Sequence, residues 1–434
     1  MLQHHPLQRV GEKSSLFRPL AGKSVLLIHP AWHSCGSHQV FVTQAQAYRH
    51  LGAKVLSLAL VDIPGRIEGS TGAQNYLAAT EDLEADVRLL TALPWAHIFR
   101  RDFLKSGLQW LRGNSAAIGL EVAKSARLPH QTVAGEPIAL IHCNHFFCLP
   151  AALRLRGERF FPIFLDTHDI QARQYALRNS RNFRLPPVLR YQEMLELELS
   201  ILKGADLLIH LNAEEADHFQ ALIPDQSHAL LYPAVAAMPM GSGGGPPILV
   251  ASANYTNFLS LSWFLREVLP HASEVPVQIY GNIDHELKLR APELYKAHAK
   301  LFHGRVEMSE LHTAYERACA VLLPATAGHG ISIKTVEAMS TGAPLIATLL
   351  AFRGLGLDLA ALANVCIAED GASFAAALCQ AYAGRSLPGP ARQMVSTRQI
   401  YEERFAIGAY QKSLWNIVEG FLRFENHNQP QDVI

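Results

Sequence analysis

Residues 327–348, AGHGISIKTVEAMSTGAPLIAT, hold the residue types and spacing most able to do chemistry. The apolar run AVLLPAT (320–326) leads into a loop in which Gly328 and Gly330 flank His329. Ser332 has the chemistry of an N-cap, which predicts a helix from about Ile333 to Thr341, ended by Gly342. Glycines let the backbone approach a ligand closely. The first turn of such a helix offers unpaired N–H groups and the positive dipole end, which suit phosphate. Lys334 adds a full positive charge there, and Glu337 follows three residues on, on the same face. A carboxylate does not suit phosphate, but it can accept two hydrogen bonds from a vicinal diol, as the acidic residue of a dinucleotide fold does for ribose. Together these features read as a nucleotide-diphosphate site. The alternative is an i,i+3 Lys–Glu ion pair on a solvated helix face. The glycine-rich loop and the flanking strands favour the former.

Other polar residues close apolar runs. FLDTHDIQARQYALRN (164–179) places Asp166, His168 and Asp169 at a strand end, and LIHCNHFF (140–147) places His145 at another. For each histidine a structural hydrogen-bonding role competes with a catalytic one. HPAWHSCGSHQV (29–40) contains a loop with Gly36 and Ser37, which a plain βα turn explains about as well as a binding loop does. It is not GxGxxG, so a nicotinamide dehydrogenase is not supported. Neither HExxH, nor CxxC, nor DxD occurs, and no metal is expected.

These residues must be positioned by the elements around them. In the first half, apolar runs at 24–31, 53–60, 137–146, 161–168, 205–212 and 228–235 read as strands. Most are continuous rather than alternating, the pattern of parallel strands covered by helices on both faces. Helical patterns lie between, including 39–52 and 189–206. AAMPMGSGGGPP (236–247) reads as a linker. The strand pattern restarts at 247–254, 276–282, 304–310, 320–326, 344–348 and 364–370. The expectation is two doubly wound α/β domains, 1–235 and 248–400, hinged at 236–247 around a ligand cleft at the strand carboxyl ends. Residues 64–136 read as a helical insertion in the first domain. Within it HIFRRDFLKSGLQWLRGN (97–114) is basic and aromatic, and it suits either a membrane-surface helix or a helix packed on its own domain.

With 38 Lys and Arg against 38 Asp and Glu, the chain lacks the positive excess of a general nucleic-acid binder. The N-terminus shows no signal-type apolar core, and no run approaches the roughly 20 apolar residues of a membrane span. Six scattered cysteines suit a reducing compartment. The expected place is the cytoplasm, peripheral at the inner membrane face if 97–114 touches lipid.

GISIKTVEAMSTGAPLIAT (330–348) resembles the donor-site signature of GT-B glycosyltransferases, in particular the retaining family 4 group. The family's motif is a glutamate, seven residues, then a second glutamate. The second matches Glu337, which the resemblance implies holds the nucleotide ribose, while His329 stands where the first, a donor-sugar contact, would fall. The resemblance implies that Gly330, Ile331 and Ser332 offer backbone amides to sugar and diphosphate, with Lys334 stabilising the latter. ILVASANYTNFLSLSWFLREVLP (248–270) resembles the opening of the donor domain, placing Asn254 and Asn257 near the diphosphate. The Arg/Lys pair of many family members is absent there. Residues 29–55 resemble the acceptor loop with Gly36 and Ser37, and 164–179 the strand-end pair, here His168 and Asp169. His145 would face acceptor or donor sugar. Residues 401–424 resemble the C-terminal helix that crosses back to brace the first domain.

The resemblance implies a metal-independent enzyme that moves a sugar from a nucleotide diphosphate to a hydroxyl of a glycan, lipid-linked or protein acceptor, with retention. A nucleotide-sugar epimerase of the same fold, which would need further acid/base carboxylates, is one alternative. A non-catalytic sugar-nucleotide scaffold, allowed by His329, is another.

Overall fold

The computed structural model describes residues 18–33, 35–61, 69–91, 93, 95–159, 161–180, 182–384 and 395–428. The start of the expected insertion, 64–68, lies outside the described residues, as do 1–17, 385–394 and 429–434. The first sheet contains β1 (Ser24–Pro30), β2 (Lys54–Leu60), β3 (Val87–Thr91), β4 (Ile138–Asn144), β5 (Ile163–Asp166), β6 (Leu207–His210) and β7 (His228–Leu230). They are parallel, in the order β3-β2-β1-β4-β5-β6-β7. The second contains β8 (Ile248–Val250), β9 (Gln278–Tyr280), β10 (Phe302–Gly304), β11 (Val321–Leu323), β12 (Leu345–Thr348) and β13 (Val365–Ala368). These too are parallel, in the order β10-β9-β8-β11-β12-β13.

The continuous apolar runs have a direct cause. Alternate side chains of a strand leave opposite faces of the sheet, and here both faces are covered. Val25 and Leu27 pack with Phe41 and Tyr48 on one side of the first sheet. Leu26 and Ile28 pack with Phe147 and Leu149 on the other. The second sheet divides its core the same way, Leu322 and Ile346 on one face and Val321 and Leu345 on the other.

Three expectations need correction. The insertion read as helical contains a strand, β3, paired in register with β2 from Leu56↔Val87 to Leu60↔Thr91. It is an edge strand, mostly half-buried, so VRLLT never needed the continuous apolar run of an inner strand. The strand expected at 304–310 ends at Gly304, and a helix runs from Met308 to Arg317. The short alternation in VEMSE resembles a strand. The helical period is visible only further along, in Leu311, Ala314 and the fully buried Tyr315. Finally, much of the 236–247 segment is held against the second domain. Met238 N donates to Ser340 Oγ at 2.8 Å, Gly241 N to Thr341 O at 2.9 Å and Gly245 N to Arg317 O at 2.7 Å. Backbone groups placed against a domain have to be paired, so residues 238–245 belong to the surface of the second domain rather than to a free linker.

The last helix, Ile407–Asn428, leaves the second domain and returns to the first. Tyr410, Leu414 and Val418 are buried in the cluster that holds Val25, Leu27 and Tyr48. Leu414→Ala should lower the urea midpoint by the equivalent of about 2–4 kcal/mol, the usual cost of emptying such a site. Lys412→Ala, exposed on the same helix, should leave the midpoint unchanged.

Candidate active site

Strand order reverses between β1 and β4 in the first sheet and between β8 and β11 in the second. Ligands of such sheets bind beyond the carboxyl ends at these points. Here the two points face each other across a cleft with two adjoining cavities of about 930 and 940 Å³ that share His329 and Ile333. The first cavity is lined by Gly36, Ser37, His168, Asp169, Ile331 and Glu337, among others. The second is lined by Asn254, Asn257, Ser332, Lys334, Arg353 and, from the first domain, Arg178.

On the second-domain side the local reading of the motif holds. The helix spans Ile333–Thr341, Ser332 Oγ accepts from Thr335 N at 3.2 Å, and Gly342 closes the helix at φ 65°. Thr335 Oγ1, fully buried, anchors the first turn on Ala351 O at 2.8 Å. Gly328 and Gly330 have φ of 134° and 64°. A Cβ on Gly330 would lie 3.0 Å from Asp169 Oδ1, and one on Gly328 2.7 Å from Arg353 Nη2. The loop therefore needs glycine where it meets the first domain and where it covers an arginine.

Lys334 Nζ lies 2.7 and 3.0 Å from the two oxygens of Glu337. The ion pair left open by the sequence is thus formed, but not on a solvated face. Glu337 is only 9% exposed, with Tyr315 Oη 3.4 Å from Oε2. A carboxylate at this depth is held by its partner, and a ligand that takes Lys334 must offer Glu337 replacement hydrogen bonds.

Asn254 and Asn257 reach the second cavity, but their polar groups are largely engaged. Asn254 Oδ1 caps the Tyr255–Trp263 helix by accepting from Asn257 N at 2.8 Å, and Asn257 Nδ2 donates to Ser252 O at 2.9 Å. They shape a helix N-terminus that opens on the same cavity as the Ser332-capped one. Sequence reading missed Arg353. It follows β12 by five residues, so the signal available was a cation just past a strand's carboxyl end. Its Nη1 donates to Leu350 O at 3.0 Å, while its buried Nε has no hydrogen-bond partner. Burial draws its pKa down and Glu214 opposes that. His329 is exposed at the cleft, and partial burial with nearby Arg173 and Arg353 lowers its pKa, so it is neutral at pH 7.

On the first-domain side a fully buried carboxylate organises the strand ends. Asp166 Oδ2 accepts from Gln44 Nε2 at 2.6 Å, and Oδ1 lies 3.1 Å from His142 Nε2. With Gln44 oriented by that carboxylate, its Oε1 accepts from Asn144 Nδ2 at 2.8 Å. Asn144 Oδ1 then faces His168 Nε2 at 2.9 Å, so Nε2 carries the proton and Nδ1 the lone pair. Asp166 thus lies beneath the cleft rather than on its wall. His168 stacks on His145, ring centroids 3.9 Å apart and nearly parallel. Both have φ of 63°, a strained backbone of the kind found at functional sites. His168 lines the cavity. His145 does not: it is buried behind, 3.2 Å from Ser37 Oγ, and supports rather than faces a ligand. Burial lowers the pKa of both, His168 to about 4.

Burial raises the pKa of Asp169, and burial with Asp169 nearby raises that of Glu215. Glu198, also missed, accepts from Gln171 N at 3.0 Å and Ala172 N at 2.8 Å and so fixes the start of the Gln171–Asn179 helix beside His168. Among the described residues no group of three or more His, Cys, Asp or Glu is arranged to hold a metal.

Burial pushes Glu198 up to about 7 from 4.5. Between those values the folded chain keeps a proton that the unfolded chain has lost, so stability falls as pH rises through the window. Glu198→Gln should remove a fall on the order of 3 kcal/mol between pH 5 and 8, read from urea midpoints at the two pH values.

Residues 246–383 match the family model described as "Glycosyl transferases group 1", less than half of the chain. No curated protein sequence matches it significantly. Solved structures do. Sucrose-phosphate synthase from Thermosynechococcus elongatus aligns at a TM-score of 0.59 with 15% identity, over 92% of this chain and 99% of that one. Anabaena Alr3699/HepE in complex with UDP aligns at 0.59 with 12% identity, over 92% and 100%. The α,α-trehalose 6-phosphate synthase of Burkholderia multivorans aligns at 0.56 with 14% identity, over 95% and 99%. Two parallel-sheet domains with facing carboxyl ends, shared along nearly the full length of these structures, make this a GT-B fold.

Proposed function

We propose that the chain is a glycosyltransferase of the retaining, family 4-like kind, which takes a nucleotide-diphosphate sugar and passes the sugar to a hydroxyl acceptor. One observation carries the reading. Two helix N-termini, Lys334 and Arg353 with its unpaired buried Nε converge on a single cavity beside the Glu337 carboxylate. That set suits a diphosphate next to a diol. The group 1 match over the same domain supports it, as does UDP in the HepE structure.

In this reading the diphosphate lies against the Ser332-capped helix, with Lys334 released from Glu337 to meet it. Glu337 accepts from the ribose hydroxyls. His329, neutral, exchanges hydrogen bonds with the donor sugar. The bond from the anomeric carbon to the phosphate oxygen breaks, one to the acceptor oxygen forms on the same face, and the acceptor proton passes to the departing diphosphate. Lys334 and Arg353 stabilise the charge that develops, an electrostatic task that needs no metal. His168 and Asp169 position the acceptor from the opposite wall, and closure between the domains excludes water.

The epimerase reading wants acid/base carboxylates around the sugar. Asp166 is withdrawn beneath the cleft, which leaves Asp169 and the paired Glu337 on the first cavity's wall. This favours transfer.

A thermal-shift series with UDP, GDP, ADP and UDP-glucose tests the reading. One nucleotide should stabilise the wild type, by about 2.7 kcal/mol at a hundred times its Kd. Glu337→Ala should abolish the shift, and Arg353→Ala should weaken binding at least tenfold, about 1.4 kcal/mol. No shift with any nucleotide would overturn it. His168→Ala should keep the nucleotide-induced shift and lose turnover of the nucleotide sugar. Binding without turnover in the wild type would leave a scaffold.

A further inference from the structure

The basic, aromatic segment has no part in the cleft chemistry, and the structure joins it to a second segment about seventy residues away. The Arg101–Leu111 helix buries none of its residues fully, and Phe103 packs on the domain against Leu93, Val122 and Ala126. Leu104, Leu108 and Leu111, spaced i, i+4, i+7, form a stripe that stays exposed, Leu104 at 59%. The loop after the Gln171–Asn179 helix is tied to the same element: Leu185 N donates to Leu111 O at 3.0 Å and Leu189 N to Arg112 O at 2.9 Å. It adds Phe183, 86% exposed, and Val188. Phe99, 75% exposed, lies at the other end of the helix. An apolar ridge of this size on a chain with a well-filled core marks an interaction surface.

Charge selects the partner. Residues 97–112 and 178–190 contain eight Lys and Arg against one acid, Asp102, in a chain that is neutral overall. Arg101 and Lys105 run beside the leucine stripe, and Arg184 lies over the Trp110 ring at 5.8 Å. Lys105 has Asp102 at 3.7 Å, and Arg190 has Glu193 at 3.5 Å; both are exposed pairs of little strength. A second copy docked by twofold symmetry would bring two positive surfaces together. Large apolar side chains rimmed by arginine and lysine fit lipid acyl chains beneath anionic headgroups instead. Among the described residues no helix is long and apolar enough to cross a membrane, so contact would be peripheral.

We propose that the ridge formed by residues 99–111 and 183–188 docks the protein on an anionic lipid surface. Each basic residue near such a surface strengthens the attraction, which salt screens. Arg178, at the base of the ridge segment, also lines the cavity that holds Lys334. Docking would therefore bring the cleft mouth close to headgroup level, where a lipid-linked hydroxyl acceptor is presented. That consequence rests on the transferase reading, whereas the docking does not.

The full chain should co-sediment with vesicles of phosphatidylcholine and phosphatidylglycerol, much less with pure phosphatidylcholine, and progressively less as salt rises. Leu104→Asp with Phe183→Asp should reduce partitioning at least tenfold, and so should Arg101→Glu with Lys105→Glu. All four side chains are exposed, so the thermal midpoint and the nucleotide-induced shift should match the wild type. Absence of co-sedimentation, or partitioning that the variants leave intact, would overturn docking. A change of oligomeric state in light scattering with unchanged vesicle binding would make the ridge a self-association face and sink the proposal. Vesicle binding without any nucleotide effect would leave docking standing and remove the transferase reading.

Discussion

The cleft depends on a short seam between the domains. Ala213 N donates to Gly354 O at 3.0 Å, Gly354 N to Glu214 Oε1 at 3.0 Å, and Tyr232 Oη to Leu355 O at 2.8 Å. These bonds tie the segment after β12 to residues that follow β6 and β7, and so join the carboxyl-end sides of the two sheets. The seam places Gly330 against Asp169 and Arg353 behind Gly328. Without it each half would be an ordinary doubly wound sheet with an open ligand edge. The Ile407–Asn428 helix, packed into the first domain's core, adds a second connection between the two halves.

The two walls solve opposite electrostatic problems. The first domain keeps the fully buried acid Asp166 paired with Gln44 and His142, and this orders Asn144 and His168 above it. His145 and His168 are held neutral, because burial disfavours imidazolium. The second domain concentrates positive potential through two helix ends, Lys334 and Arg353. A ligand with a charged diphosphate and uncharged sugar hydroxyls is complementary to this division. The Lys334–Glu337 pair keeps both charges satisfied in the absence of a ligand, and leaving Glu337 unpaired at its depth would be costly.

Much was legible in the sequence where the cause is local. The Ser332 cap, the Gly342 stop and the glycine loop follow from side-chain chemistry within a few residues, and the structure reproduces them. The strand runs were legible because a sheet covered on both faces demands apolar residues at every position. β3 and the 304–310 segment were misread for the converse reason. An edge strand tolerates an arginine, and a short alternation fits either a strand or the approach to a helix.

By itself the sequence determined two doubly wound sheets and the motif helix that faces the cleft. These rest on periodicity and capping, which act over one turn or one strand. Only the tertiary structure decided which strand-end groups touch the cavity, which of them lie beneath it, and which distant cations join them. His145 and His168 look alike as strand-end residues, yet one is packed behind the other. Arg353, Arg178 and the 183–188 loop carry no local signal of partnership, because their neighbours come from segments far along the chain. A hydrogen bond or an ion pair depends on distance in space, and that distance is set only once the two sheets have packed.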